Sequence, residues 1–583
     1  SAFYRSSSTN EPAGLEFMKK CPQCSREYDN TMAFCLDDGA ELLYGPASMD
    51  EPNTAILQTT DAVGNAPTRT QRHTTQGTAV LPSGVTEVPA SKGFDKRLLA
   101  ISLFLAVAAL GVYIGYRFVS PAASGQINSI AVLPFANASG DKETDFLADG
   151  IAETLINNFT RIPELKVTAR STAFSFRGRE SEVKAIGTEL SVGSILTGRL
   201  MQRGEQLSVQ VDLINTTDGS QIWGNRYEGR SSDIVSIQQR IATDVSSQLK
   251  LKLSGAQQQQ IARTYTQNPE AYQHYLRGRF HWNKRTADDL RKGLAEFQQA
   301  ADIDPGYALA YVGLADSYAL MDEYAGASTV ETLPKARAFA ERALQIDDTL
   351  GEAHATLALV NRYLWNWEEA DKEFRRAIEL SPNYPTTRHW YSVTLRDSGR
   401  LDEALEQIKR AEELDPLSGI IGSNMAIVYL VRGDENATYA TLNKMIEINP
   451  AWWGGHNWLG LAHLEFGRKD EAVKALEKAV ELNRSHTTLG NLGYAYALNG
   501  KQNDANAILI ELEDRYSKGQ KIAFNIAGVR AGLGQNDEAL KWLEKASDEK
   551  SSILPIIRWY PHFKPLRGEP RFKDLLKRMN LPE

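Results

Sequence analysis

The residues of this chain best suited to chemistry lie close together near one end. Cys21 and Cys24 form a C-x2-C hook, Cys35 follows eleven residues after Cys24, and Asp38 precedes the turn residue Gly39. Two thiolates on one tight turn approach a single ion, and zinc accepts a carboxylate oxygen beside sulfur in a tetrahedral shell. The spacing therefore points to a structural zinc site made by Cys21, Cys24, Cys35 and Asp38. A segment of about 25 residues cannot fold on apolar burial alone, so the metal would supply the stability. A redox dithiol and a metal-free remnant stay open as alternatives, although no βαβ pattern surrounds the hook to favour the first. A closed four-ligand shell leaves no coordination position for a substrate.

Around that hook the chain changes character several times. Residues 1–17 are polar and aperiodic, and read as a non-native or disordered leader before Met18. Residues 18–44 hold the hook. Residues 45–95 form a Thr-, Pro- and Gly-containing stretch, expected to be a disordered linker because it has too little apolar surface to offset ordering entropy. Residues 98–116, LLAISLFLAVAALGVYIGY, carry no charge over nineteen positions. A helix of that length spans about 28 Å, close to a hydrocarbon core, so a single transmembrane helix is expected within 96–119. Lys92, Lys96 and Arg97 precede the span and only Arg117 follows closely. That bias puts the N-terminus in the cytoplasm and the residues after the span on the periplasmic or extracytoplasmic side. All three cysteines then lie on the reducing side.

Composition excludes more than it assigns. The 73 acidic against 65 basic residues leave a net charge of -8, which gives no support to nucleic-acid binding. No Walker A, HExxH, GxSxG or kinase signature occurs, so no catalytic residues are assigned, no small-molecule substrate is indicated, and the chain is not expected to be an enzyme.

Residues 127–255 read as a small α/β domain. SIAVLPF (129–135) is a buried strand. Residues 144–161 place Phe146, Leu147, Ile151, Leu155 and Phe159 at helical spacing. Strands follow at 165–170, 192–202, 207–214 and 221–229, with a short helix at 182–190 and a last amphipathic helix from Ile234. The pieces IAVLPFANASGD, FLADGIAETL and GRLMQRGEQLSVQVDLINTTDGSQIWGNRYE resemble the TolB amino-terminal-like domain. That resemblance implies a binding or assembly module without catalytic residues. Relatives of this type are fused to helical repeats, some with a cyclase, a kinase or a DNA-binding domain.

Residues 268–551 carry a 34-residue period: the prolines at 382, 416 and 450 are evenly spaced, and Leu357, Ala358, Ala370, Phe374 and Ala377 sit in register with Leu459, Gly460, Ala472, Leu476 and Ala479. The array resembles the tetratricopeptide family, with about eight repeats, and residues 552–583 read as a polar C-terminal capping helix. Each first helix would line a concave groove, where Arg362, Tyr363, His389, Arg396 and Asn457 are the candidate contacts to a protein or peptide partner. The tryptophans 365, 367, 390, 452, 453 and 458 read as packing rather than ligand stacking.

The fold class is thus multidomain: a zinc ribbon, one membrane helix, a small α/β domain and an all-α solenoid. The expected function is a membrane-anchored scaffold for protein–protein interactions in the cell envelope. The alternative is a sensory or signalling protein whose output domain is absent or supplied in trans.

Overall fold

The structure is a computed structural model, and it describes residues 19–20, 27–28, 128–249, 254–255, 257–258 and 263–582. The expected zinc ligands, the linker and the apolar span at 98–116 lie outside the described residues. Among those described, no helix is long and apolar enough to cross a membrane. In the N-terminal unit, β1 (Lys19–Lys20) pairs antiparallel with β2 (Glu27–Tyr28), with Lys19 opposite Tyr28. The connection between them is residues 21–26, which includes Cys21 and Cys24.

The second unit begins with a six-stranded mixed sheet. Its strands are β3 (Ser129–Val132), β4 (Ala136–Asn137), β5 (Lys166–Val167), β6 (Ser194–Arg203), β7 (Gln206–Asn215) and β8 (Gln221–Arg230). β3 runs parallel to both β5 and β6, β4 parallel to β6, and β6, β7 and β8 form an antiparallel meander. Helices α1 (Asp145–Thr160), α2 (Arg170–Phe174), α3 (Val183–Leu190) and α4 (Ile234–Gln248) cover it. The run expected as one strand over 129–135 divides at Pro134, which has no N–H for the ladder. The strand expected over 165–170 is cut to two residues because the chain turns into α2 at Arg170. Leu207, Val209, Val211 and Leu213 alternate inward along β7, as the period of two requires.

Eight helical hairpins follow. They are α5 (Pro269–Trp282) with α6 (Ala287–Ile303), α7 (Ala308–Ala325) with α8 (Thr329–Ile346), α9 (Gly351–Tyr363) with α10 (Trp367–Leu380), and α11 (Pro385–Asp397) with α12 (Leu401–Leu414). The array continues with α13 (Gly419–Val431) and α14 (Glu435–Ile448), α15 (Trp453–Glu465) and α16 (Lys469–Leu482), α17 (His486–Leu498) and α18 (Gln502–Ser517), and α19 (Ala523–Gly532) and α20 (Asn536–Asp548). Small residues let paired helices approach: a Cβ on Gly460 would lie 2.4 Å from Leu476. In repeats four to eight the turn between the two helices takes positive φ at Gly399, Gly433, Gly467, Gly500 and Gly534. The third repeat puts Trp365 there, at φ 64, a conformation costing an L-residue about 1 kcal/mol or more.

The α/β domain and the array, expected as separate domains, share one core. Sheet residues such as Leu196 and Val209 belong to the same buried cluster as Tyr275, Phe297 and Leu314 of the first repeats. Polar contacts fix the join. Asn383, in the turn closing the third repeat, donates from its amide side chain to the carbonyls of Ile162 (2.8 Å) and Leu165 (2.9 Å). In the next turn Asp415 accepts from Thr172 (2.7 Å), and Leu414 O accepts from Ala169 N (2.9 Å). Buried Glu153 on α1 binds Arg279 (2.7 Å), Arg170 (2.8 Å) and Asn283 (2.8 Å). Burial would raise its pKa, but Arg279 and Arg170 outweigh that and hold the carboxyl below its ordinary value.

Candidate binding surface

The five expected groove residues all sit on first helices, but none is a free contact group. Arg362 is 5% exposed and spends its guanidinium on Asp397 at 2.5 Å. Arg396, 4% exposed, binds the same carboxylate at 2.8 Å and also donates to Asn424 Oδ1 at 3.0 Å. Asn424 in turn donates its amide to His389 Nε2 at 3.0 Å. Burial, together with Arg396, Arg285 and Arg362, pushes the His389 pKa down to about 3, so the ring is neutral at pH 7. Tyr363 is buried, with Arg362 over its ring. Asn457, 1% exposed, accepts from Asn491 at 2.9 Å. In this structure the five residues expected as open contact groups are all buried: Arg362, His389, Arg396 and Asn457 are tied into internal polar contacts along the first helices, and Tyr363 packs against Arg362.

The cover over part of this face is the chain's own C-terminal segment. Residues 552–583 were expected as a polar cap on the outer end of the solenoid. The segment instead folds inward as two 3-10 turns, Leu554–Arg558 and Pro561–Leu566, followed by α21 (Pro570–Arg578). Trp559 stacks on Arg396 with 4.8 Å from the guanidinium to the ring. Tyr560 donates to Asn491 Oδ1 at 2.8 Å, extending the ladder from Asn457. The His562 ring stacks on Tyr494 with centroids 3.8 Å apart and planes nearly parallel. Trp367 donates its indole N–H to Met579 O at 2.7 Å, and Lys550 lies 3.7 Å from the centre of the Trp365 ring. This contact explains the bulky residue at the strained turn. The physical reason for the inward fold is amphipathic: Phe572, Leu575 and Leu576 make one apolar face on α21, and they bury with Phe563, Leu566, Leu461 and Phe524.

The segment also closes the array on itself. Thr329, at the start of α8, donates to the carbonyls of Glu549 (3.1 Å) and Lys550 (2.9 Å), and Ser552 donates to Asp322 on α7. Eleven large apolar side chains of 554–581 are buried. At about 1.5–3 kcal/mol each, their gross burial is on the order of 20 kcal/mol, an upper figure since the unfolded chain is partly compact.

Sequence reasoning missed Asn491 and Asn525, although they continue the Asn457 position at 34-residue steps. It also missed Glu153 and Asn383, single polar residues that no period marks. Trp365, Trp367 and Trp458 do pack, and what they pack against is the tail. Among the described residues no group of three or more His, Cys, Asp or Glu is arranged to hold a metal.

These features define a mixed α/β domain fused to tetratricopeptide repeats. Residues 453–486 match the tetratricopeptide repeat family model. Residues 126–244 match the HilA/YgeH-like transcriptional regulator, second domain; that description, not the TolB-like one, is what the α/β segment matches. The chain is 32% identical over 249 residues to a protein of Rhizobium meliloti named putative adenylate cyclase 3, covering 42% of each. It is 27% identical over 164 residues to transcriptional regulator HilA of Salmonella typhimurium, covering 28% of this chain and 30% of that one. The chain thus spans less than half the length of either relative. Among solved structures, the type IV pilus biogenesis factor PilW aligns over 37% of this chain and 96% of its own, at 19% identity and a TM-score of 0.31.

Proposed function

We propose that this chain is a scaffold for protein–protein interactions, anchored in a bacterial inner membrane through residues 98–116, with residues 128–582 outside the cytoplasm. The observation that carries the reading is the tetratricopeptide array itself, built as one body with the α/β domain. Because the tail fills part of the concave face, protein partners engage the exposed surfaces of this body. Cys21, Cys24, Cys35 and Asp38 would hold zinc, since three thiolates and a carboxylate suit that ion, and the metal would supply folding energy to the N-terminal segment. A second reading is signalling. Relatives named as an adenylate cyclase and as a transcriptional regulator resemble stretches of this chain, which supports an accessory module that serves different outputs, with the output here supplied elsewhere.

Two measurements test the proposal. Protease added outside sealed spheroplasts should digest the repeat array and spare residues 18–97; a protected array would reverse the topology. Photo-crosslinkers at exposed positions such as Lys284 and Glu323 should trap a protein partner in native membranes, whereas one at Asn457 should trap none. Trapping only from Asn457 would mean that partners do enter the filled groove.

A further inference from the structure

Among the described residues, the last strand of the sheet, β8, forms a free edge. It is ten residues long, holds no proline or lysine, and among the described residues pairs with β7 alone. Edge strands of this length are usually blunted by such residues, because they offer unpaired backbone groups to another chain. The hydrogen-bond phase shows which groups are offered. Ser231 N donates to Glu205 O at 2.7 Å, continuing the register in which Arg230 faces Gln206. Alternation then directs the odd-numbered residues of β8 toward β7 and the N–H and C=O of Gly224, Arg226, Glu228 and Arg230 outward. Two of the outward N–H groups confirm this by bonding side chains: Arg230 N to Asp233 and Arg226 N to the exposed Asn225. Glu228 N meets no acceptor among the described residues.

The side chains of Arg226 and Glu228 share one face, opposite Tyr227, whose hydroxyl is held by Asp244 of α4. Both are exposed. Arg226 has a 3.3 Å bond to Gln210, and neither forms an ion pair among the described residues.

We propose that β8 pairs antiparallel with β8 of a second copy, centred on Tyr227, to make one continuous sheet across two chains. In this register the outward groups of Arg226 face those of the second copy's Glu228, and the arrangement occurs twice by symmetry. Each Glu228 N–H meets the Arg226 carbonyl of the other copy. Each Arg226 N–H exchanges the exposed Asn225 side chain for the Glu228 carbonyl. Opposite charges stand directly across the seam on both sides. The registers centred on Arg226 or Glu228 also match outward groups, but they set Arg226 against itself or Glu228 against itself. The charges therefore select the partner as a second copy and fix the register. Arg230 of the second copy then lies over Gly224, beside Asp212, which is opposite Gly224 on β7. The pairing stays clear of the irregularity between Leu213 and Ile214.

The test is sedimentation equilibrium of the full chain in mild detergent at micromolar concentration, at low and physiological salt. The wild type should be dimeric. R226E or E228R alone places like charges across both seams and should weaken the dimer about tenfold or more. The double variant R226E/E228R restores opposite pairs and should return wild-type affinity. Both positions are exposed, and circular dichroism checks that each variant folds. Glu228→Pro is a second route to loss, since it removes an outward N–H and no bond to β7. A wild type that stays monomeric, single variants that dimerise as well as wild type, or a double variant that fails to recover would each overturn the proposal.

Discussion

His562 gives the sharpest test of how the C-terminal segment is seated. It is 2% exposed, and neither ring nitrogen has a hydrogen-bond partner among the described residues. Its neighbours are Tyr494, Tyr560, Phe563 and Gly528, none of them charged. Burial alone pushes its pKa down to about 3 from an ordinary 6.5. The folded chain therefore refuses a proton that the unfolded chain accepts below pH 6.5, and stability falls as pH drops from there toward 3. The slope approaches about 1.4 kcal/mol per pH unit, so acidification to pH 5 costs about 2 kcal/mol through this residue. His389, also lowered to about 3, adds to the loss, while Asp316, raised to about 6 chiefly by burial, works against it. The comparison of wild type with H562F removes those common contributions. Urea midpoints of both proteins, read by tryptophan fluorescence from pH 7.5 to 5, should diverge in favour of H562F by the equivalent of about 2 kcal/mol. Any overpacking by the phenyl ring shifts H562F equally at every pH and leaves the divergence intact. Parallel curves would refute the reasoning and mean that the segment does not shield His562 from water.

Three further outcomes are expected. Glu153→Gln should cost about 3–5 kcal/mol in denaturant unfolding, because Arg279 and Arg170 are left without their shared buried carboxylate. Phe563→Ala should cost about 3–5 kcal/mol for a fully buried ring, where a residue on a solvated cap would cost far less; differential scanning calorimetry separates the two. In the N-terminal segment, zinc titration followed by metal analysis should give one ion per chain, with Cys35→Ala weakening binding more than Asp38→Ala, since water replaces a carboxylate more readily than a thiolate.

Much of this fold was legible in the sequence, and what was not has a common cause. The meander β6–β8 and the helix α1 follow from periods of 2 and 3.6, which depend only on neighbouring residues. The repeats follow from a period of 34, because each hairpin buries the same positions against the next. The C-terminal segment carries an equally plain signal in Phe572, Leu575 and Leu576. That signal gives a buried face without naming what buries it, and a charged surround such as Lys573, Asp574 and Lys577 reads as solvated. The candidate groove residues were placed on the correct helices for the same reason. Their partners, Asp397, Asn424 and Asn491, come from adjacent repeats and become visible only when those helices are set side by side.

The contact of Thr329 with Glu549 and Lys550 bears on how the molecule is made. An open solenoid gains stability one repeat at a time, each unit needing only its neighbour. Here Trp367 waits for the Met579 carbonyl, 212 residues later in the chain. At roughly 5–20 residues per second, that is about 10–40 seconds of synthesis during which Trp367 and its neighbour Trp365 lack their cover. The third repeat must therefore persist for that interval with part of its surface uncovered, and the array reaches its final form only when the C-terminal segment arrives.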